Sequence, residues 1–322
     1  MNFLKAASAL IFSGMLSTTA MAADIARPEC IAPAKPGGGF DLTCRIAQAG
    51  LKSQLDTPMQ VTFVPGGIGA VAMSLFNTTR TDDPNAIVAF STGSLLNIAV
   101  GKYGKWTEND VRFLASIGAD FGAVVVKADS KYQTLSDLMN DFAKNEAGVV
   151  VGAGGSVGSQ DWMKAALLIK SIDKNPRKMR YVAYDGGGDA IAGLLGGSIG
   201  VYMGDVGEMT SYLESGAVRI LAVMSPERLP EPFAQYPTAK EQGYNAEWTI
   251  MRGFYMGKNV SDEAYAAWSK AFHDTFETPE FAEIQKSKGL IPLNLAGKDL
   301  DASVKKRIVE LRAIAKDVGL IQ

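Results

Sequence analysis

The sequence predicts an α/β fold made of two similar lobes, and three observations carry that expectation. Short apolar runs alternate with helical patterns, the alternation comes in two successive sets, and glycine-rich turns recur where a strand should pass into a helix. This βαβ rhythm is that of a mostly parallel sheet with helices on both faces. About 300 residues remain beyond an N-terminal targeting segment, more than a single core usually holds.

The first set places strands near 30–34, 61–64, 87–90 and 113–117, with helices after the first two glycine turns. The second places strands near 123–126, 149–152, 179–183 and 200–203, with helices over 135–145, 159–171, 188–196 and 206–215. A strand-like run at 220–223 leads into a connection rich in proline (Pro226, Pro230, Pro232, Pro237), then a strand near 253–256. Ser261 reads as the N-cap of a helical tail, and Thr278-Pro279 starts a further helix. A chain that leaves the first set and returns late needs two connecting strands, expected near 117–123 and 221–225. Ligands of open α/β sheets bind at the carboxyl ends of strands, so such an architecture places a ligand between the lobes.

Residues 1–22 read as a secretory signal peptide: Lys5 is the positive start, 6–16 the apolar stretch, and Ala20-Met21-Ala22 the cleavage box. The mature protein is expected to start at Ala23 and to be periplasmic. Ala23-Asp24, not a cysteine, follows the cleavage box, which argues against a lipid anchor. The net charge of −2 provides no broad basic field, so nucleic acid is not an expected partner. No cofactor is expected, because neither G-x-x-x-x-G-K-[ST] nor G-x-G-x-x-G in its βαβ setting occurs. Cys30 and Cys44 are the only cysteines. In an oxidising compartment they are expected to form a disulfide from the first strand to the first helix, the alternative being two buried thiols. With one distant His273 they do not supply the usual four ligands of zinc.

Two glycine turns stand out. Lys35-Pro36-Gly37-Gly38-Gly39-Phe40-Asp41 and Pro65-Gly66-Gly67-Ile68-Gly69 each run into a helical pattern. Glycine permits positive φ and close approach, while the amides at a helix start attract an anion. Further turns of the same kind follow: Ser91-Thr92-Gly93-Ser94, Gly154-Gly155-Ser156 and Tyr184-Asp185-Gly186-Gly187-Gly188. Each alone reads equally as an ordinary capped turn; their recurrence at successive strand ends favours a ligand site. Lys35 reads either as a charge attracting the ligand or as a solvated loop lysine.

Gly154-Gly155-Ser156-Val157-Gly158 also matches G-x-S-x-G, the nucleophile elbow of α/β hydrolases, and Ser156, Asp205 and His273 follow in the required order. His273 lies inside a strong helical pattern, however, which is the wrong context for a catalytic base. A serine hydrolase is therefore the alternative reading, beside a signalling receptor of the same fold that serves no transporter. The leading expectation is a non-enzymatic receptor.

The first loop from Ala32 to Asp41, the second from Pro65 to Gly69, Tyr184 to Gly188 followed by 190–197, and the segments 221–228 and 236–244 together resemble the periplasmic solute receptors of tripartite tricarboxylate transporters. The resemblance spans essentially the whole mature chain. It implies a type II periplasmic-binding-protein fold with two crossing hinge strands. The lobes would be 23–121 with 225–322, and 122–224. It further implies that the first two loops hold a carboxylate, partly through ordered waters, while loops of the second lobe select the rest of the ligand. By position the ligand-binding set is Gly38, Gly39, Phe40, Asp41, Gly67, Ile68, Gly69, Ser91, Thr92, Gly155, Ser156, Tyr184, Gly186 and Asp205. The implied partners are a small carboxylate and the membrane permease subunits, with the receptor itself a monomer. Asp185 departs from the family, many members of which carry lysine there. Cys30, Cys44 and Lys35 look most like the tricarboxylate branch, which makes citrate the expected ligand.

Overall fold

Strand β1 (Glu29–Ala32) is buried along its length after the first residue and pairs in parallel with both β2 (Gln60–Phe63) and β3 (Ala86–Ser91). A computed structural model describes residues 25–322, so the expected signal peptide and the mature start at Ala23 lie outside the described residues. Helix α1 (Gly39–Gly50) follows β1, α2 (Ala70–Phe76) follows β2, and α3 (Thr92–Ala99) follows β3. The Ser91 side chain caps α3 reciprocally with Ser94, so the end of a fully buried strand is also a helix start. Cys30 and Cys44 are disulfide-bonded, with Cα atoms 5.6 Å apart, and pin α1 to β1.

The expected strands at 113–117 and 123–126, with the connecting strand expected near 117–123, are one 17-residue strand, β4 (Val111–Lys127). Gly118, Asp120 and Gly122 interrupt its apolar run, yet the strand bends without ending, Gly118 taking φ +142° beside a register shift. Residues 111–121 pair antiparallel with β9 (Thr249–Gly257), and 122–127 pair with β7 (Val201–Asp205) and β8 (Val218–Val223). β4 therefore passes from one sheet into the other. β9 also pairs antiparallel with β3, completing the first sheet. The second sheet continues from β7 to β5 (Val150–Gly154) and β6 (Arg180–Tyr184) through parallel pairs.

The second connection differs from its expected position at 221–225. β8 ends inside the second sheet, and the chain returns through β9 after Trp248, whose amide donates to the Met224 carbonyl. The segment 225–248 hydrogen-bonds to β8 through Gln242 and Leu221, and to the start of α4 (Leu135–Lys144) through Leu135.

Helices α5 (Gln160–Lys170) and α6 (Gly187–Leu195) follow β5 and β6. The expected helix over 206–215 is a single 3-10 turn, Val206–Glu208, followed by the short α7 (Thr210–Glu214). Helix α8 (Asp262–Phe276) is capped by Ser261, and α9 (Pro279–Ser287) by Thr278, as the sequence predicts. The last helix, α10 (Gly297–Asp317), packs on α3 and β4.

Candidate functional site

Between the two sheets the loop before α1 meets the loop before α6. A Cβ placed on Gly38 would lie 3.0 Å from the Gly187 nitrogen, and one on Gly188 would overlap the Pro36 carbonyl oxygen. These glycines therefore serve close approach of loop to loop. Lys35 donates to Asp189 at 2.8 Å across the same junction. On the other side Lys102, beyond α3, donates to the Val157 carbonyl at 2.9 Å, and a Cβ on Gly155 would touch the Ile68 side chain at 3.2 Å.

These contacts enclose an inner cavity of about 40 Å³, lined among others by Gly38, Gly39, Phe40, Ser91, Gly186 and Asp205. At ~10–15 Å³ for each water-sized occupant, it admits about three small groups. An adjoining outer pocket of about 250 Å³ is lined by Gly67, Ile68, Asn97, Lys102, Gly155, Ser156, Ser159, Tyr184 and Asp185. Ile68, Asn97 and Ser159 border both spaces. Ile68 is held at φ +49°, and its carbonyl accepts from Tyr103 Oη at 2.7 Å and Asn97 Nδ2 at 3.3 Å. Those two donors hold a backbone that an isoleucine rarely adopts.

The inner cavity rests on buried charges. Arg252 of β9 donates to Asp120 of β4 (2.9 Å from Nε), to Asp205 of β7 (2.7 Å) and to the Gly39 carbonyl (3.0 Å). Lys164 of α5 donates to Asp161 at 2.7 Å, to the Gly204 carbonyl at 2.9 Å, and to Asp205. Burial opposes ionisation of Asp205, but Lys164 and Arg252 outweigh it and hold its pKa below the usual value. Burial raises Asp161 to about 6, with Asp205 adding repulsion and Lys164 opposing. Glu208, which Tyr202 Oη reaches at 2.5 Å, is raised to about 8 by burial and by Asp205, against the pull of Arg252.

A model of the "Tripartite tricarboxylate transporter family receptor" matches residues 43–320. The chain belongs to that family. That family is one of substrate-binding receptors. No helix among the described residues is long and apolar enough to cross a membrane. The periplasmic binding protein BugD superposes with a TM-score of 0.82 at 20% identity, covering 91% of this chain and 97% of its own. The malate-bound MatC of Rhodopseudomonas palustris has a TM-score of 0.76 at 16% identity, covering 89% and 98%. An adipate-bound protein of R. palustris gives 0.80 at 17%, covering 91% and 97%. At identities this low the superpositions show the shared two-lobe fold alone.

Most residues that the sequence singled out in the receptor converge on the two spaces, but several have their polar atoms engaged. Asp41 is outside both: its carboxylate accepts from the Gly37 amide at 2.8 Å and from Arg45, bracing its own loop. Gly69 is outside as well, at φ +98° beneath the Tyr103 hydroxyl. Thr92 is buried, with Oγ1 accepting from the Met251 amide at 2.9 Å, and it ties α3 to β9. Ser91 lines the cavity, yet its hydroxyl caps α3. The hydrolase alternative gains no geometry. Asp205 is held by Lys164 and Arg252, and Ser156 meets Lys102 Nζ at 3.4 Å. His273 is 74% exposed on α8, its near charged neighbour being Asp274.

Sequence reasoning missed Arg252, Lys164, Asp161, Asp120 and Glu208. A signal existed for the strand residues, since Asp120 and Arg252 each interrupt an otherwise apolar strand and buried charges require partners. Asp161 and Lys164 stand three apart on α5, a spacing that places them on one face. Glu208 stands three positions after Asp205, the spacing of a capping box at a helix start, which carries no sign of a buried charge cluster.

Proposed function

We propose that this receptor binds a small carboxylate in the cleft between its lobes and delivers it to the permease subunits of a tripartite transporter. The observation that carries the reading is the meeting of the glycine loops before α1 and α6 over a cavity in a member of this receptor family. The malate and adipate held by two structural neighbours support the ligand class. The protein is read as a monomer that is periplasmic after loss of residues 1–22. Citrate remains the first ligand to test.

In this reading Gly38, Gly39, Phe40 and Gly186 surround one carboxylate, while Gly67, Ile68, Gly155, Ser156 and Tyr184 bound the remainder of the ligand in the outer pocket. Lys102 adds a positive charge there, and Asp205 acts through the buried charges below. The hinge is read as the paired crossing of β4 and β9. Because 225–248 bonds to β8 and α4, that segment moves with 122–224 and not, as the expected division has it, with the first lobe. Calorimetry with citrate, malate, adipate and an aromatic carboxylate tests the proposal. Saturable binding of one or more is expected, and binding only a neutral solute or a cation overturns it.

A further inference from the structure

Four carboxylates and two cations meet under the inner cavity, and each pairing can be followed. Arg252 is shared by Asp120 and Asp205, and Lys164 by Asp161 and Asp205. Glu208 is the carboxyl that neither cation touches within salt-bridge distance among the described residues. It stands on the cavity wall between the two glycine loops: a Cβ on Gly39 would lie 2.9 Å from its Oε1, and one on Gly187 would lie 3.0 Å from its Oε2.

The two oxygens of Glu208 are not equivalent. Oε2 accepts from Tyr202 Oη at 2.5 Å and from the Asp205 amide at 3.4 Å. Oε1 has no hydrogen-bond partner among the described residues. An oxygen that already accepts two donors is the carbonyl oxygen of a neutral carboxyl, so the proton of the acid form belongs on Oε1, at the cavity. We propose that the Glu208 carboxyl, acting as a donor through Oε1, recognises a carboxylate of the ligand.

This rests on the carboxylate-receptor reading and makes it more specific. Every charged group facing Glu208 bears on its protonation. Asp205 on β7, Asp161 on α5 and Asp120 on β4 disfavour a further negative charge, while Arg252 on β9 and Lys164 on α5 are already committed to them. Burial and these carboxylates outweigh Arg252 and the Tyr202 donation, both of which favour the ionised form, and keep Glu208 an acid up to about pH 8. An anion entering this cavity meets a proton donor instead of a fourth carboxylate. A neutral acid donates to a carboxylate through a short, charge-assisted bond.

The test is calorimetry on the full mature protein from pH 6 to about 10, using citrate, malate and adipate in buffers of different ionisation enthalpy. Affinity for a carboxylate should be level below about pH 7 and fall, approaching tenfold per pH unit, above about 8, with proton uptake on binding. Asp161 titrates lower, near 6, so its effect falls in a separate range. Glu208→Gln keeps a donor at the cavity and should bind within a few-fold of the parent without the alkaline decline. Glu208→Ala, checked for folding by circular dichroism, should lose tenfold or more. Proton release on binding above about pH 7, or loss of binding in a folded Glu208→Gln variant, overturns the inference. An alkaline decline that persists in Glu208→Gln overturns it as well. A parent protein that binds none of these carboxylates at any pH instead overturns the underlying carboxylate reading.

Discussion

Arg252 donates to Asp205 at 2.7 Å, joining β9 of the first sheet to the end of β7 in the second at the floor of the cleft. Both side chains are almost wholly buried, and Asp120 shares the same guanidinium. Removing one partner of such a group leaves uncompensated buried charge, at a cost of roughly 3–5 kcal/mol. Arg252→Ala should accordingly lower the free energy of unfolding, read from chemical denaturation, by that amount. A loss below about 1 kcal/mol would show that water reaches the two aspartates freely.

Closure should depend on Gly188. This residue sits in the first turn of α6, where alanine is compatible with the backbone, yet a Cβ there overlaps the Pro36 carbonyl of the opposite loop. Gly188→Ala should leave thermal stability within ~0.5 kcal/mol of the parent while preventing the lobes from meeting. Small-angle scattering reads the outcome: the parent contracts with a saturating carboxylate and the variant does not. Equal contraction in both would remove the loop contact from the closing mechanism.

The disulfide links a buried strand to a buried helix with a sequence separation of 14. Closing a loop of that length stabilises by about 3 kcal/mol in the chain-entropy model. Denaturation of a Cys30→Ala, Cys44→Ala double variant should show a loss of this order. Two thiols reacting with a thiol reagent in the unfolded, unreduced parent would contradict the bond.

Stability should decline towards alkaline pH. Glu208, near 8 in the fold against an ordinary 4.5, and Asp161, near 6 against 3.8, both favour the folded state when protonated. Their contribution is whole below the ordinary values and is lost as pH rises through the folded ones. The thermal midpoint should fall between about pH 5 and 9, and Glu208→Gln should flatten the upper part of that decline. A midpoint that rises over this range would refute the assignment.

Export can be checked directly. Mass spectrometry of the periplasmic fraction should find a mature N-terminus at Ala23. Intact Met1 on the folded, soluble protein would exclude removal of the first 22 residues.

Local pattern was enough for much of this architecture. Apolar runs of four to six residues, glycine turns and caps such as Ser261 and Thr278 act within a few neighbouring residues, so β1 to β3, α5, α8 and α9 were legible. The glycine loops were legible as close-approach sites for the same reason. What they approach was not, because the partner of Gly188 is Pro36, more than 150 residues away. β4 was legible as two apolar runs with a connection between them but not as one continuous strand, because Gly118, Asp120 and Gly122 carry turn-like signals that only pairing with β9, β7 and β8 overrides. The charges beneath the cavity escaped for a related reason. Asp120, Asp161, Lys164, Asp205, Glu208 and Arg252 come from β4, α5, β7, the turn after it, and β9. Their ionisation depends on distances that exist only once both sheets are packed, since burial and Coulomb interaction act through space and not along the chain.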